Sequence, residues 1–181
     1  SHLGSGTLTD YEVTAYDAAG NVAGTCNPAS GQRTCDVTGL DNGSSYTFKV
    51  AAITSVGSSA QSSASSVVIP AGVPSAPANV AAVTSGSNMT VTFDAPSDNG
   101  GSAITGYTAR AYTALVGGSE AGTACTTATL ACRITGLSAN TTYYYSVVAT
   151  NAAGNSVATS PRVLVQPAAL PGAPTINSVT S

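Results

Sequence analysis

Apolar and polar positions alternate along much of this chain with a period of two, the spacing that turns one face of a strand inward. Met89, Val91 and Phe93 alternate with Thr90 and Thr92, and Tyr107, Ala109 and Ala111 with Thr108 and Arg110. Turn-forming stretches such as the Gly-rich 98–102 separate these runs. Together they predict seven strands, over 79–84, 89–93, 106–113, 122–126, 130–134, 142–150 and 157–165. Apart from single turns, no stretch carries a helical period. Short strands with turns between them are the pattern of an all-β sandwich.

The pattern is repeated. Thr-Gly-Leu at 38–40 recurs at 135–137, a shift of 97, which also maps Tyr46 onto Tyr143, Gly57 onto Gly154 and Pro70 onto Pro167. Tyr11 and Tyr16 map onto Tyr107 and Tyr112 at a shift of 96. One unit is thus about 97 residues, the size of a single small domain. In this register Ser1 corresponds to Ser97. The expected organisation is a partial repeat at 1–70 that starts at its third strand, a complete repeat at 71–167, and the first strand of a following repeat at 168–181. Tyr11, Val13, Phe48 and Val50 would then face a gap that Met89, Val91 and Phe93 fill in the complete repeat. Ile176 and Val179 are expected to be buried against a sandwich equivalent to 1–70. That sandwich is supplied either by a neighbouring copy, head-to-tail, or by continuation of the same polypeptide.

Certain residues carry a family resemblance. Tyr follows the Leu of Thr-Gly-Leu by six positions in both units, as Leu40 with Tyr46 and Leu137 with Tyr143. Pro-x-x-Pro opens a unit at Pro74 to Pro77 and at Pro171 to Pro174, and Ile-Thr-Gly-Tyr stands at 104–107. In these features the chain resembles fibronectin type III domains. The resemblance implies an all-β fold of tandem immunoglobulin-like β-sandwiches, the first incomplete at its N-terminal side. It also implies a structural corner at Tyr46 and at Tyr143, each hydroxyl bonded to nearby backbone. There are two departures: Phe93 stands where the family has Trp, and each unit carries a cysteine pair that most members lack.

Cys26 and Cys35 are nine apart, and Cys125 and Cys132 seven apart. No Cys-x-x-Cys knuckle occurs and His2 is the one histidine, so metal ligation lacks its usual partners. Two disulfides are expected, each clipping a hairpin within its unit. Loop-closure entropy assigns each about 2.5 kcal/mol. Disulfides persist in oxidising compartments, which points to an extracellular or cell-surface location.

Composition narrows the function. Charged residues make up 7% of the chain, against roughly 25% in ordinary globular proteins. The five basic residues are scattered, so nucleic-acid binding has no electrostatic footprint. No apolar run reaches membrane-spanning length, and no membrane insertion is expected. Catalysis would need His2 beside a nucleophile, or paired carboxylates across a cleft. Asp94 and Asp98 instead flank a turn at Pro96, where turn capping is the simpler reading and a calcium site with Asn99 the alternative. No enzyme activity, cofactor or metal is expected. Tyr112 and Tyr144 fall on one outward face, either as a sugar-stacking platform or interface anchor, or as a cross-strand pair that stabilises the sheet. Asn42, Asn88 and Asn140 head glycosylation sequons. Short Pro-rich connections at 70–77 and 167–174 restrict domain motion. The function this predicts is an extracellular structural or adhesive module of an extended rod, stalk or fibre. Its expected partners are neighbouring repeats or copies of itself, and carbohydrate or a cell-surface protein. The alternative is a spacer or carbohydrate-binding accessory region of a larger secreted polysaccharide-degrading enzyme.

Overall fold

The computed structural model describes residues 6–169 and Gly172. The chain divides into two compact units, Ser1–Gly72 and Val73–Ser181. All regular structure among the described residues is β. Residues 1–5, with His2, and the tail that holds Ile176 and Val179 lie outside the described residues.

The second unit has two sheets. Strands β5 (Ala78–Ser85), β6 (Asn88–Asp94) and β9 (Ala131–Ile134) form one, in the order β5-β6-β9. The other runs β11 (Gly154–Asn155), β10 (Tyr143–Asn151), β7 (Gly106–Tyr112), β8 (Glu120–Thr127), with β12 (Val163–Val165) also paired to β10. Alternation decides which residues face inward. Met89, Val91 and Phe93 of β6 are buried against Tyr107, Ala109 and Ala111 of β7 and Tyr145, Val147 and Ala149 of β10. The rings of Phe93 and Tyr107 lie 4.9 Å apart at 55°, a tilted contact worth about 0.5–1.5 kcal/mol beyond simple burial.

The structure corrects the expected strand over 157–165: only Val163–Val165 is regular. Upstream, the chain follows β10 with one contact per three residues. Ser156 donates its N–H to the Ala149 carbonyl, and its hydroxyl oxygen accepts from the Ala149 N–H. Thr159 does the same with Val147. A side-chain oxygen thus takes the place of the ladder carbonyl, a contact that hydrophobic alternation does not reveal.

The first unit has a single four-stranded sheet among its described residues. It consists of β1 (Leu8–Tyr16), β2 (Val22–Cys26), β3 (Thr47–Thr54) and β4 (Gly57–Ser58), ordered β2-β1-β3-β4. Here the three-residue period is complete: Ser59, Ser62 and Ser65 meet Ala52, Val50 and Phe48. Val68 and Tyr46 then close it with a regular bridge. Each serine hydroxyl also donates to the carbonyl of the following residue, at 2.7–2.9 Å. The pairs Tyr11 with Ala52, Val13 with Val50 and Ala15 with Phe48 share one face of this sheet. Val50 there is 37% exposed, whereas Val147, its counterpart, is fully buried.

Candidate functional site

The disulfides are Cys26–Cys35 and Cys125–Cys132, with Cα atoms 6.0 and 5.8 Å apart. Each bond lies within its own unit. Cys125 lies on β8 in one sheet and Cys132 on β9 in the other, so this bond ties the two sheets together along one side. Nearby, the Thr123 N–H donates to the Thr135 carbonyl at 2.8 Å. Gly122 permits that approach, because a side chain there would run into the Thr135 carbonyl.

Both corner tyrosines accept a backbone hydrogen bond. The Tyr46 hydroxyl takes the Asp41 N–H at 3.0 Å, and the Tyr143 hydroxyl takes the Ser138 N–H at 3.1 Å. The latter bond favours the phenolate and lowers the Tyr143 pKa. Burial alone raises that of Tyr145.

Tyr112 and Tyr144 are direct cross-strand neighbours on β7 and β10. The Arg162 guanidinium lies 3.5 Å from the centre of the Tyr112 ring. Its Nη1 donates to the carbonyls of Ala114 at 2.8 Å and Gly117 at 2.6 Å, which fastens the loop between β7 and β8. One face of Tyr112 is therefore closed to a sugar. Sequence reasoning missed Arg162. The signal was there in the repeat: Arg162 stands where Ser65 stands in the first unit, and so interrupts the three-residue period.

The first unit builds the same contact from another strand. Lys Nζ of Lys49 lies 5.1 Å over the ring of Tyr16, the counterpart of Tyr112. Lys49 occupies the position of Ser146, so the cation over the ring comes from β3 in one unit and from the edge segment in the other. A cation over this tyrosine thus recurs where the residue supplying it does not, which fits sheet stabilisation better than ligand binding. Beside Tyr16, a cleft of about 530 Å3 is lined by Asp17, Tyr46, Lys49 and Val67. The Asp17 carboxylate is held below its ordinary pKa, chiefly by the Asn21 N–H, so its bonding is spent within its own turn.

The acidic pair is engaged locally as well. Asp94 accepts from the Asn79 amide at 2.6 Å, and Asp98 accepts from the Gly100 N–H at 2.8 Å. Among the described residues no three His, Cys, Asp or Glu side chains gather in a way that could hold a metal. Among the described residues no helix is long and apolar enough to cross a membrane.

Paired sheets, a corner tyrosine and inward alternation place the second unit in the immunoglobulin-like sandwich class. The model for the fibronectin type III domain matches residues 1–68 and again 75–166, and the chain belongs to that family. Chitinase A1 of Niallia circulans is 36% identical over 171 residues, which cover 90% of this chain and 22% of that protein. The chain therefore spans about a fifth of this relative's length. Among solved structures, domains A168–A170 of titin match with a TM-score of 0.54 and 20% identity, over 85% of this chain and 53% of theirs. The FN1–FN3 domains of chicken CNTN1 match with a TM-score of 0.47 and 18% identity, over 90% of this chain and 56% of theirs. The titin likeness is one of fold.

Proposed function

We propose that this chain is a non-catalytic spacer within a larger secreted protein that degrades a polysaccharide. The observation that carries this reading is the similarity to Chitinase A1, which spans 90% of the chain and so takes in both units. The disulfides support an oxidising, extracellular setting. The low charge supports a surface that holds neighbours apart without attracting them. The guanidinium over Tyr112 argues for spacing rather than for sugar binding. A second reading, a stalk or fibre of many such units, draws support from the recurrence of Pro-x-x-Pro at Pro171 to Pro174.

Two measurements test the spacer. The chain is mixed with insoluble chitin or cellulose and is expected to stay in the supernatant; retention would favour the accessory binding role. In the parent protein, exchanging the chain for an unrelated module pair of equal length is expected to preserve hydrolysis of insoluble polymer. Loss of hydrolysis after the exchange would count against the spacer.

A further inference from the structure

The tripeptide Asp-Asn-Gly occurs twice, at 41–43 and at 98–100. The sequence treats the two alike, and the fold does not. At 41–43 the Gly43 N–H donates to the Pro70 carbonyl, a neutral acceptor, at 2.8 Å. At 98–100 the Gly100 N–H donates to the Asp98 carboxylate at 2.8 Å. One residue on, the Gly101 N–H donates to the side-chain oxygen of Asn99 at 2.9 Å. The ring closed by that bond contains both Cγ of Asn99 and the Gly100 nitrogen, so the side chain is folded back over the peptide bond that follows it. Gly100, at a φ of 69°, has no Cβ to obstruct the approach. The loop is held on both sides. Ser75 donates its N–H to the Asp98 carbonyl at 2.9 Å, and its hydroxyl oxygen accepts from the Asp98 N–H at 3.2 Å. The amide of buried Asn151 donates to the main-chain carbonyl of Asn99 at 2.8 Å. Asn99 itself is exposed to water.

We propose that Asn99 is a self-modification site, at which the chain converts asparagine to aspartate and isoaspartate through a succinimide. The Gly100 nitrogen attacks Cγ of Asn99 as its proton passes to the Asp98 carboxylate. A C–N bond forms and closes a five-membered ring. The Gly101 N–H, already on the side-chain oxygen, stabilises the negative charge that gathers there. The bond from Cγ to Nδ2 then breaks, and ammonia leaves with the proton that Asp98 had taken. Water, the one co-reactant, opens the ring at either carbonyl and leaves aspartate or isoaspartate at position 99. Either product sets a negative charge beside Asp98, and isoaspartate also adds a methylene to the backbone between the Ser75 and Asn151 ties. At 41–43 the attacking N–H is held by a carbonyl that takes no proton, so the same tripeptide reacts more slowly. This proposal does not rest on the spacer reading.

The test incubates the full chain at neutral pH and follows both tripeptides by peptide mapping with mass spectrometry, using hydroxylamine to cleave the chain at any succinimide. Conversion at Asn99 is expected to run roughly ten-fold or more faster than at Asn42. In concentrated urea, where the loop is lost, the two rates are expected to converge. Asp98→Asn keeps an oxygen for the Gly100 N–H but cannot hold its proton, and is expected to slow conversion at Asn99 roughly five-fold or more. Three results would overturn the proposal: a folded chain in which Asn42 converts as fast as Asn99 or faster, a difference between them that survives in urea, or an Asp98→Asn variant that converts as fast as the natural chain.

Discussion

Thr159 meets Val147 twice. Its N–H donates to the Val147 carbonyl, and its hydroxyl oxygen accepts from the Val147 N–H, both at 3.0 Å. Both residues are buried. Thr159→Val keeps the shape and leaves the Val147 N–H without a partner, so a loss of roughly 1–3 kcal/mol is expected in urea melts. Water can reach the matching pair of Ser62 and Val50. Ser62→Ala is therefore expected to cost no more than about 0.5 kcal/mol. Equal losses at the two sites would show that the hydroxyl acceptor is not what matters.

The Cys125–Cys132 bond closes a short loop between two sheets. Cys125→Ser with Cys132→Ser is expected to lower the stability of the second unit by about 2.5 kcal/mol. Thermal melts should show the same loss when the natural chain is reduced. A doubly substituted chain that still loses stability on reduction would trace the effect to the other disulfide.

Arg162 holds the loop between β7 and β8 through two carbonyls and the Tyr112 ring. Arg162→Ala is expected to cost on the order of 1 kcal/mol and to speed amide exchange over 113–119. Arg162→Lys cannot reach both carbonyls in the same plane and is expected to restore only part of the protection. Unchanged exchange in the alanine variant would mean that the loop holds itself.

Tyr145 gives the second unit an alkaline limit. Burial raises its folded pKa above the ordinary 10.0, so the folded state keeps a proton that the unfolded state releases. Its contribution is complete below the unfolded pKa and is lost as pH rises through the folded one. Tyr143 has the opposite shift and gives a contribution that grows at high pH. The difference in stability between the natural chain and Tyr145→Phe isolates the first effect. That difference is expected to be flat from pH 7 to 9 and to move against the natural chain above about pH 10. A flat difference up to pH 11 would refute the assignment.

The fold was legible wherever alternation and spacing carry it. Met89, Val91 and Phe93 announce β6, and the six-residue step from Leu137 to Tyr143 announces the corner. Two kinds of feature were hidden. Ser156 and Thr159 pair through side chains at a period of three, which no scale of hydrophobic alternation detects. The Cys125–Cys132 bond joins two sheets because the chain passes from one to the other between β8 and β9, a change of sheet that spacing in sequence does not disclose. Arg162 over Tyr112 depends on a contact fifty residues away along the chain. Comparison of the two units, with Lys49 and Arg162 exchanged against serines, was the one trace it left in the sequence.

The three-residue step along the outer margin of each larger sheet has a consequence for crowding. Modules strung on one polypeptide meet their own near-copies at high local concentration, where like strands tend to exchange partners or stack into fibres. Recruiting a further strand requires donors and acceptors at every second residue. Ser59, Ser62 and Ser65 set a beat of three, and their hydroxyls already hold the carbonyls of Ala60, Ser63 and Ser66. An incoming strand finds neither the right rhythm nor free acceptors at those positions. Serine, a residue that adds little to a hydrophobic core, thereby makes this margin of the first unit a poor template for a further strand.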